Sequence, residues 1–140
     1  AKRVGFRDPR TVVAAPITIE KPDLERKVGA ARFESITYRL FKVDGLDEQC
    51  EDYGQVATYR GTIPNAEALF WLDDHHAFEA HRPERVCRNT AIMLGETRLA
   101  RHFEVTQPGA HCGEYPCGPT LAAQQYSASS EAGPAAGACC

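Results

Sequence analysis

The stretch Phe33-Glu34-Ser35-Ile36-Thr37-Tyr38-Arg39-Leu40-Phe41-Lys42-Val43 decides how the fold is read. Side chains alternate along a strand, which places Ile36, Tyr38 and Leu40 on one face and Phe33, Phe41 and Val43 on the other. Both faces carry apolar groups, as in a strand covered on both sides within an α/β sheet. Upstream, Thr11–Ile19 is β-branched and extended, with Pro16 arguing for an edge position or a break. Between the two, Pro22 at a first helical position, the helix formers Leu24 to Lys27 and Gly29 as a stop predict a short helix over Pro22–Val28. Strand, short excursion and long two-faced strand look like the closing antiparallel hairpin of a doubly wound sheet. Residues 1–10 read as a last helical turn running into a loop, and the start at Ala1 rather than Met leads to the expectation of more chain upstream.

Downstream, Asp44–Gly54 is acidic and turn-like and reads as a boundary. Gln55–Ile63 is a strand pattern, and Pro64-Asn65 turns the chain toward Leu69–Leu72, so a hairpin between those two runs is expected. After Asp73-Asp74-His75-His76, the segment 77–82 is looser. Asn89 or Thr90 is a possible cap for a helix from about Ala91 to Ala100, weakened at Gly95 by about 1 kcal/mol. Phe103–Thr106 reads as a returning strand. From Gly118 onward fifteen of twenty-three residues are Ala, Gly, Ser or Pro, and only Leu121 and Tyr126 offer anchors, so a disordered tail ending in Cys139-Cys140 is expected. The fold class is therefore α+β. It comprises a closing hairpin (1–43), a small mostly β domain with one helix (44–117) and a flexible Cys-terminated tail (118–140).

Charge sharpens the division. Residues 1–43 hold ten Lys/Arg and five Asp/Glu, whereas 44–117 hold six and thirteen. The basic part lacks interleaved stacking aromatics and the acidic part repels phosphates, which argues against nucleic acid. No run reaches the roughly 18 uncharged apolar residues of a spanning helix, and residues 1–10 lack the apolar core of a signal peptide. The expected setting is cytoplasmic.

Six cysteines then need an explanation: Cys50, Cys87, Cys112, Cys117, Cys139 and Cys140. In a reducing compartment such residues serve as soft-metal ligands or redox groups more often than as a disulfide framework. The adjacent Cys139-Cys140 suit a thiophilic ion, because a mobile arm presents two thiolates at little geometric cost, and neighbouring positions make a strained disulfide. An inert chain end is the plain alternative. His111-Cys112 with Cys117 forms a second, lesser group, whose plain alternative is a packed Cys117 with Cys112 incidental. Zinc lacks a C-x-x-C knuckle here, and Cys50 and Cys87 stand isolated along the chain. Cys87 precedes Arg88-Asn89-Thr90 at a helix start, where a thiol is either activated or simply buried. Asp73-Asp74-His75-His76 resembles an acid/base or metal cluster, but strand alternation would split it between two faces, and a hydrogen-bonded hairpin is the simpler reading. No Gly-x-Gly turn, P-loop or Gly-x-Ser-x-Gly elbow occurs, so neither cofactor-binding nor catalytic residues are assigned.

Several ordered segments carry a resemblance. Ala1-Lys2-Arg3-Val4-Gly5-Phe6-Arg7-Asp8-Pro9-Arg10, Pro16-Ile17-Thr18-Ile19 with Leu24–Gly29, and Phe33–Lys42 resemble the later part of arsenite S-adenosylmethionine methyltransferases. Cys50-Glu51-Asp52-Tyr53-Gly54-Gln55, Gly61-Thr62-Ile63-Pro64, Leu72–His76, Val86-Cys87 with Asn89-Thr90-Ala91, and His102-Phe103 are similar to that family's C-terminal domain. The sequence departs from the pattern at Arg88, Leu99 and Cys112. The resemblance covers roughly residues 1–117 and implies an enzyme that moves methyl groups from S-adenosylmethionine to thiolate-bound As(III) in arsenic detoxification. Holding a lone-pair nucleophile in line with the methyl group would supply catalysis by proximity. It further implies that the cofactor and the arsenic-binding cysteines precede Ala1, that this fragment alone is inactive, and that As(III), methylarsenicals, a thiol reductant such as glutathione or thioredoxin, and upstream catalytic domains of the same chain are its partners. Cys139 and Cys140 become candidates for capturing As(III), with Cys112 and Cys117 a second pair. A non-catalytic lid or scaffold, or a stand-alone soft-metal chaperone, are the alternatives.

Overall fold

A computed structural model describes residues 1–125. After a 3-10 turn at Lys2–Val4, β1 (Arg10–Ile17) and β2 (Phe33–Arg39) form a two-stranded antiparallel sheet, with α1 (Pro22–Val28) between them. Helix α1 has the predicted bounds because both ends are specified locally. Pro22 needs no N–H partner at the first position, and Gly29 leaves the helix at φ 63, where its N–H bonds to the Glu25 carbonyl. Pro16 sits opposite Glu34, tolerated because a two-stranded sheet has only edges. β2 does carry apolar groups on both faces, yet in this chain they are open: Phe33, Ile36 and Tyr38 are 43%, 38% and 52% exposed, and Val13 on β1 is 56% exposed.

The second region is built differently. β3 (Val56–Tyr59) lies between β6 (Pro83–Arg85) and β7 (Phe103–Val105) in a three-stranded antiparallel sheet, and β4 (Leu69–Trp71) pairs with β5 (Ala77–Glu79). Helix α2 (Arg88–Gly95) packs on β3 and β7. Tyr59, Phe70, Phe78 and Phe103 interlock with ring centroids 5.1 to 5.9 Å apart, each such pair adding about 0.5–1.5 kcal/mol beyond its buried area. Met93 and Leu94 of α2, Phe41 and Leu46 complete the same core, so the segment leading into the domain also contributes to it.

Three expectations are corrected. Residues 55–63 and 69–72 do not form a hairpin. The Tyr59 hydroxyl accepts the Ile63 N–H at 2.9 Å and donates to the Ala66 carbonyl at 3.0 Å, and Gly61 turns at φ +69 where an added Cβ would stand 2.9 Å from the Glu67 carbonyl oxygen. The chain thereby leaves the sheet after Tyr59, and β4 finds its partner across the Asp73–His76 turn instead. Helix α2 begins three residues earlier than expected and stops at Gly95, since Cys87 is its N-cap and the Thr97 hydroxyl takes up the Met93 carbonyl. Finally, residues 118–125 are not a loose tail. The Thr120 hydroxyl accepts the Ala77 N–H at 2.9 Å and donates to the Ala77 carbonyl at 2.7 Å. Residues 121–125 are helical, and Ala122 and Ala123 bury against Ala77 while Leu121 stays exposed. Small side chains fit that close approach; the expected anchor Leu121 does not take part.

Candidate functional site

Three cysteines that are far apart in sequence meet in space. Cys50 and Cys117, 67 residues apart, are joined in a disulfide with Cα atoms 6.5 Å apart. The sulfurs of Cys50, Cys87 and Cys117 all lie within 4.8 Å of one another. Cys87 is buried, Cys50 half-buried and Cys117 exposed. Cys87 is the N-cap of α2, and its sulfur lies 3.3 Å from the Thr90 hydroxyl. The isolation of Cys50 and Cys87 read along the sequence is thus corrected by the fold.

Backbone bonds hold these positions independently of the sulfur chemistry. The Tyr115 N–H donates to the Cys50 carbonyl at 2.7 Å, the Asp52 N–H to Gly113 at 2.8 Å and the Cys112 N–H to Asp52 at 2.8 Å. The Arg88 N–H donates to the Glu51 carbonyl at 2.9 Å, tying the start of α2 to the same segment. Around the cluster, Arg85 grips Asp52 through both carboxylate oxygens at 2.9 and 2.8 Å. Burial, foremost, pushes the Tyr115 phenol up, so it remains a donor to the Arg85 carbonyl at 2.9 Å.

Of the residues singled out as ligands, Cys117 belongs to this cluster. Cys112 is free and exposed, and its thiol faces the Ala110 carbonyl. His111 is engaged elsewhere, 2.6 Å from the Glu51 carboxylate. Cys139 and Cys140 lie outside the described residues.

The Asp73–His76 run forms the turn of the β4–β5 hairpin, and its chemistry is internal. Oδ1 of Asp73 accepts the N–H groups of His75 and His76 at 2.9 and 2.7 Å, and the Nδ1 of His76 at 2.7 Å. Its other oxygen receives Arg10 at 3.1 Å, and Arg10 also reaches Asp8 at 2.8 Å and the Thr90 hydroxyl at 3.2 Å. Burial alone would push the Asp73 carboxyl up, but His76, the turn N–H groups and Arg10 more than offset it and hold the carboxyl at about 2. Burial likewise opposes the charge on Arg10, yet Asp8 and Asp73 outweigh it and its pKa is raised. Arg39 adds a second tie, donating to the carbonyls of Trp71 and Leu72. Nothing in the linear pattern marks Arg10 for this role. With both Asp73 carboxylate oxygens taken up by the turn, His76 and Arg10, the buried part of this turn is an anchor between hairpin and domain.

Among the described residues, α1 and α2 do not start from a glycine turn: α1 begins after Lys21 and α2 after Cys87. No helix among them is long and apolar enough to cross a membrane.

Comparison with known proteins places the chain. The family model described as the arsenite methyltransferase C-terminal domain matches residues 52–140. The chain is 55% identical over 104 residues to an arsenite methyltransferase of Aquipseudomonas alcaligenes, covering 74% of this chain and 30% of that protein. It is 34% identical over 111 residues to the human arsenite methyltransferase, covering 78% of this chain and 28% of that protein. The crystal structure of CrArsM, an arsenic (III) S-adenosylmethionine methyltransferase from Chlamydomonas reinhardtii, superposes with a TM-score of 0.75 at 49% identity, over 81% of this chain and 38% of that one. The chain thus spans about 30% of the length of the curated relatives it matches. It belongs to the arsenite methyltransferase C-terminal domain family.

Proposed function

We propose that this chain serves as the C-terminal part of a cytoplasmic enzyme that transfers methyl groups from S-adenosylmethionine to thiolate-bound As(III). The observation that carries the reading is the family match over residues 52–140, together with relatives named for that reaction. In this reading the cofactor and the reacting arsenic are held by parts of the protein outside these residues. Residues 1–43 close the methyltransferase part, residues 44–117 with the packed segment 118–125 form an auxiliary domain, and Cys139 and Cys140 at the end of the sequence deliver As(III), with Cys112 as a further exposed thiol. A thiol reductant returns the cysteines to the form that binds.

The open apolar faces of β1 and β2 support a docked partner. Val13, Ile17, Leu24, Phe33 and Tyr38 are all exposed, and a patch of that kind marks a contact surface. The remainder of the same protein is the occupant the reading commits to, since the relatives are more than three times as long as the matched segment. The test is As(III) methylation by the longer protein with and without residues 44–140, and with Cys139→Ser/Cys140→Ser. The expected results are loss of activity on truncation and slowed uptake in the double variant. Full activity without 44–140 would refute the assigned role, and undiminished uptake by the double variant would refute delivery by the tail.

A further inference from the structure

We infer that Cys50, Cys87 and Cys117 form a redox-gated site for one trivalent, thiophilic metalloid ion. The three-thiol site stands on the geometry alone. The choice of As(III) among such ions rests on the family reading above.

The ligand set points to the ion. Three sulfurs within 4.8 Å of one another suit a single soft centre. Bonds of about 2.3 Å meeting near right angles on one pyramidal centre set their sulfurs about 3.3 Å apart, so the site closes by drawing Cys87 inward and parting Cys50 from Cys117 within the present cluster. A closed structural zinc site asks for a fourth protein ligand, but the group among the described residues holds three cysteines, and His111 is committed to Glu51 at 2.6 Å. A trivalent arsenic centre forms three bonds and keeps a lone pair, which matches three thiols without a fourth. An open cleft of about 630 Å³, lined by Glu48, Gln49, Cys50, Glu114, Tyr115 and Cys117 among others, leads from solvent to two of the sulfurs. Cys87 lies buried beside them.

The disulfide supplies the gate. While Cys50 and Cys117 are joined, two of the three ligands are withheld. A dithiol reductant breaks the S–S bond, leaving two cysteine thiols and the reductant as its own disulfide. As(OH)3 then exchanges its three hydroxides for the three thiolates of Cys50, Cys87 and Cys117; each thiol proton leaves with a hydroxide as water, and arsenic stays trivalent. The site should survive reduction because the segments 50–52, 112–115 and 87–88 are bonded backbone to backbone through Cys50, Glu51 and Asp52. The sulfurs therefore remain close without the covalent link.

The test uses the 140-residue chain carrying Cys139→Ser/Cys140→Ser, so that the tail does not contribute. Reduced with a phosphine and titrated anaerobically with As(III), it is expected to take up one ion, read as sulfur-to-arsenic absorbance and as three sulfur neighbours by X-ray absorption. Adding Cys87→Ser, or separately Cys50→Ser, is expected to abolish uptake. The chain with its disulfide intact is expected to bind nothing. Circular dichroism checks that each variant folds, and Cys87→Ala provides a second removal of the buried ligand. Uptake by the oxidised chain, uptake indifferent to Cys87 removal in a folded variant, preferential binding of Zn2+, or no uptake after reduction would each overturn the site. Methylation by the longer protein is read separately. Uptake lost with methylation retained sinks this site alone, and uptake retained without methylation sinks the family reading alone.

Discussion

Residues 1–43 and residues 44–125 use the same kinds of side chain to opposite ends. In the second region Tyr59, Phe78, Met93 and Leu94 are wholly buried around interlocked rings, whereas in the first Val13, Ile17 and Tyr38 are at least half exposed. A hairpin with open apolar faces cannot stand on its own burial. Here it is held by a few polar anchors, chiefly Arg10 and Arg39 bonded to the β4–β5 turn. The difference teaches that the second region is packed around a core of its own, while the hairpin leans on it through polar ties and leaves its other apolar face open.

The strongest way to break that comparison is to attack the core, which the second region builds and to which residues 1–43 add Phe41 and Val43 at their end. Phe78→Ala is expected to cost about 4 kcal/mol, the range for a large aromatic removed from a core, because Phe78 is fully buried and lies edge-on to Phe103 at 5.3 Å. Urea unfolding followed through Trp71 fluorescence reads it. Next is the anchor: Arg10→Ala leaves the buried Asp73 carboxylate without its cation and is expected to cost about 3 kcal/mol, as removal of one member of a buried pair does. The loss should appear as faster proteolysis of residues 1–43 with the domain still folded.

Acid probes the same anchor more gently. The folded Asp73 carboxyl sits at about 2, below its ordinary value near 3.9. A depressed carboxylate stabilises above its unfolded pKa, so up to about 2 kcal/mol is expected to disappear as pH falls from about 4 to 2. Melting temperatures across that window test it, and Asp73→Asn should flatten that part of the profile. Smallest is Tyr38→Ser on the open face of β2. In this chain it should change stability by less than about 0.5 kcal/mol, while in the longer protein it should weaken docking and lower methylation. An equal effect in both settings would mean that the face has no partner.

These contrasts explain how far the sequence could be read. Helix α1 was legible because Pro22 and Gly29 punctuate it locally, and β1 and β2 because their alternation and branching are local as well. The β4–β5 pairing was not, since it is decided by Tyr59 hydroxyl bonds that pull residues 60–66 off the sheet. The start of α2 was misplaced because cysteine is not among the residues that usually cap a helix. Within the site, Cys117 was singled out, but its partnership with Cys50 and Cys87 was hidden by separations of tens of residues and a sheet order that no linear pattern encodes. The anchoring role of Arg10 was hidden for the same reason.

Hydrogen exchange compared between this chain and the longer protein tests the account most directly. The prediction is that amides of β3, β6, β7 and α2 are equally protected in both, while those of β1 and β2 gain strong protection only in the longer protein. Equal protection of β1 and β2 in the two settings would contradict the claim that one region stands alone and the other requires a partner.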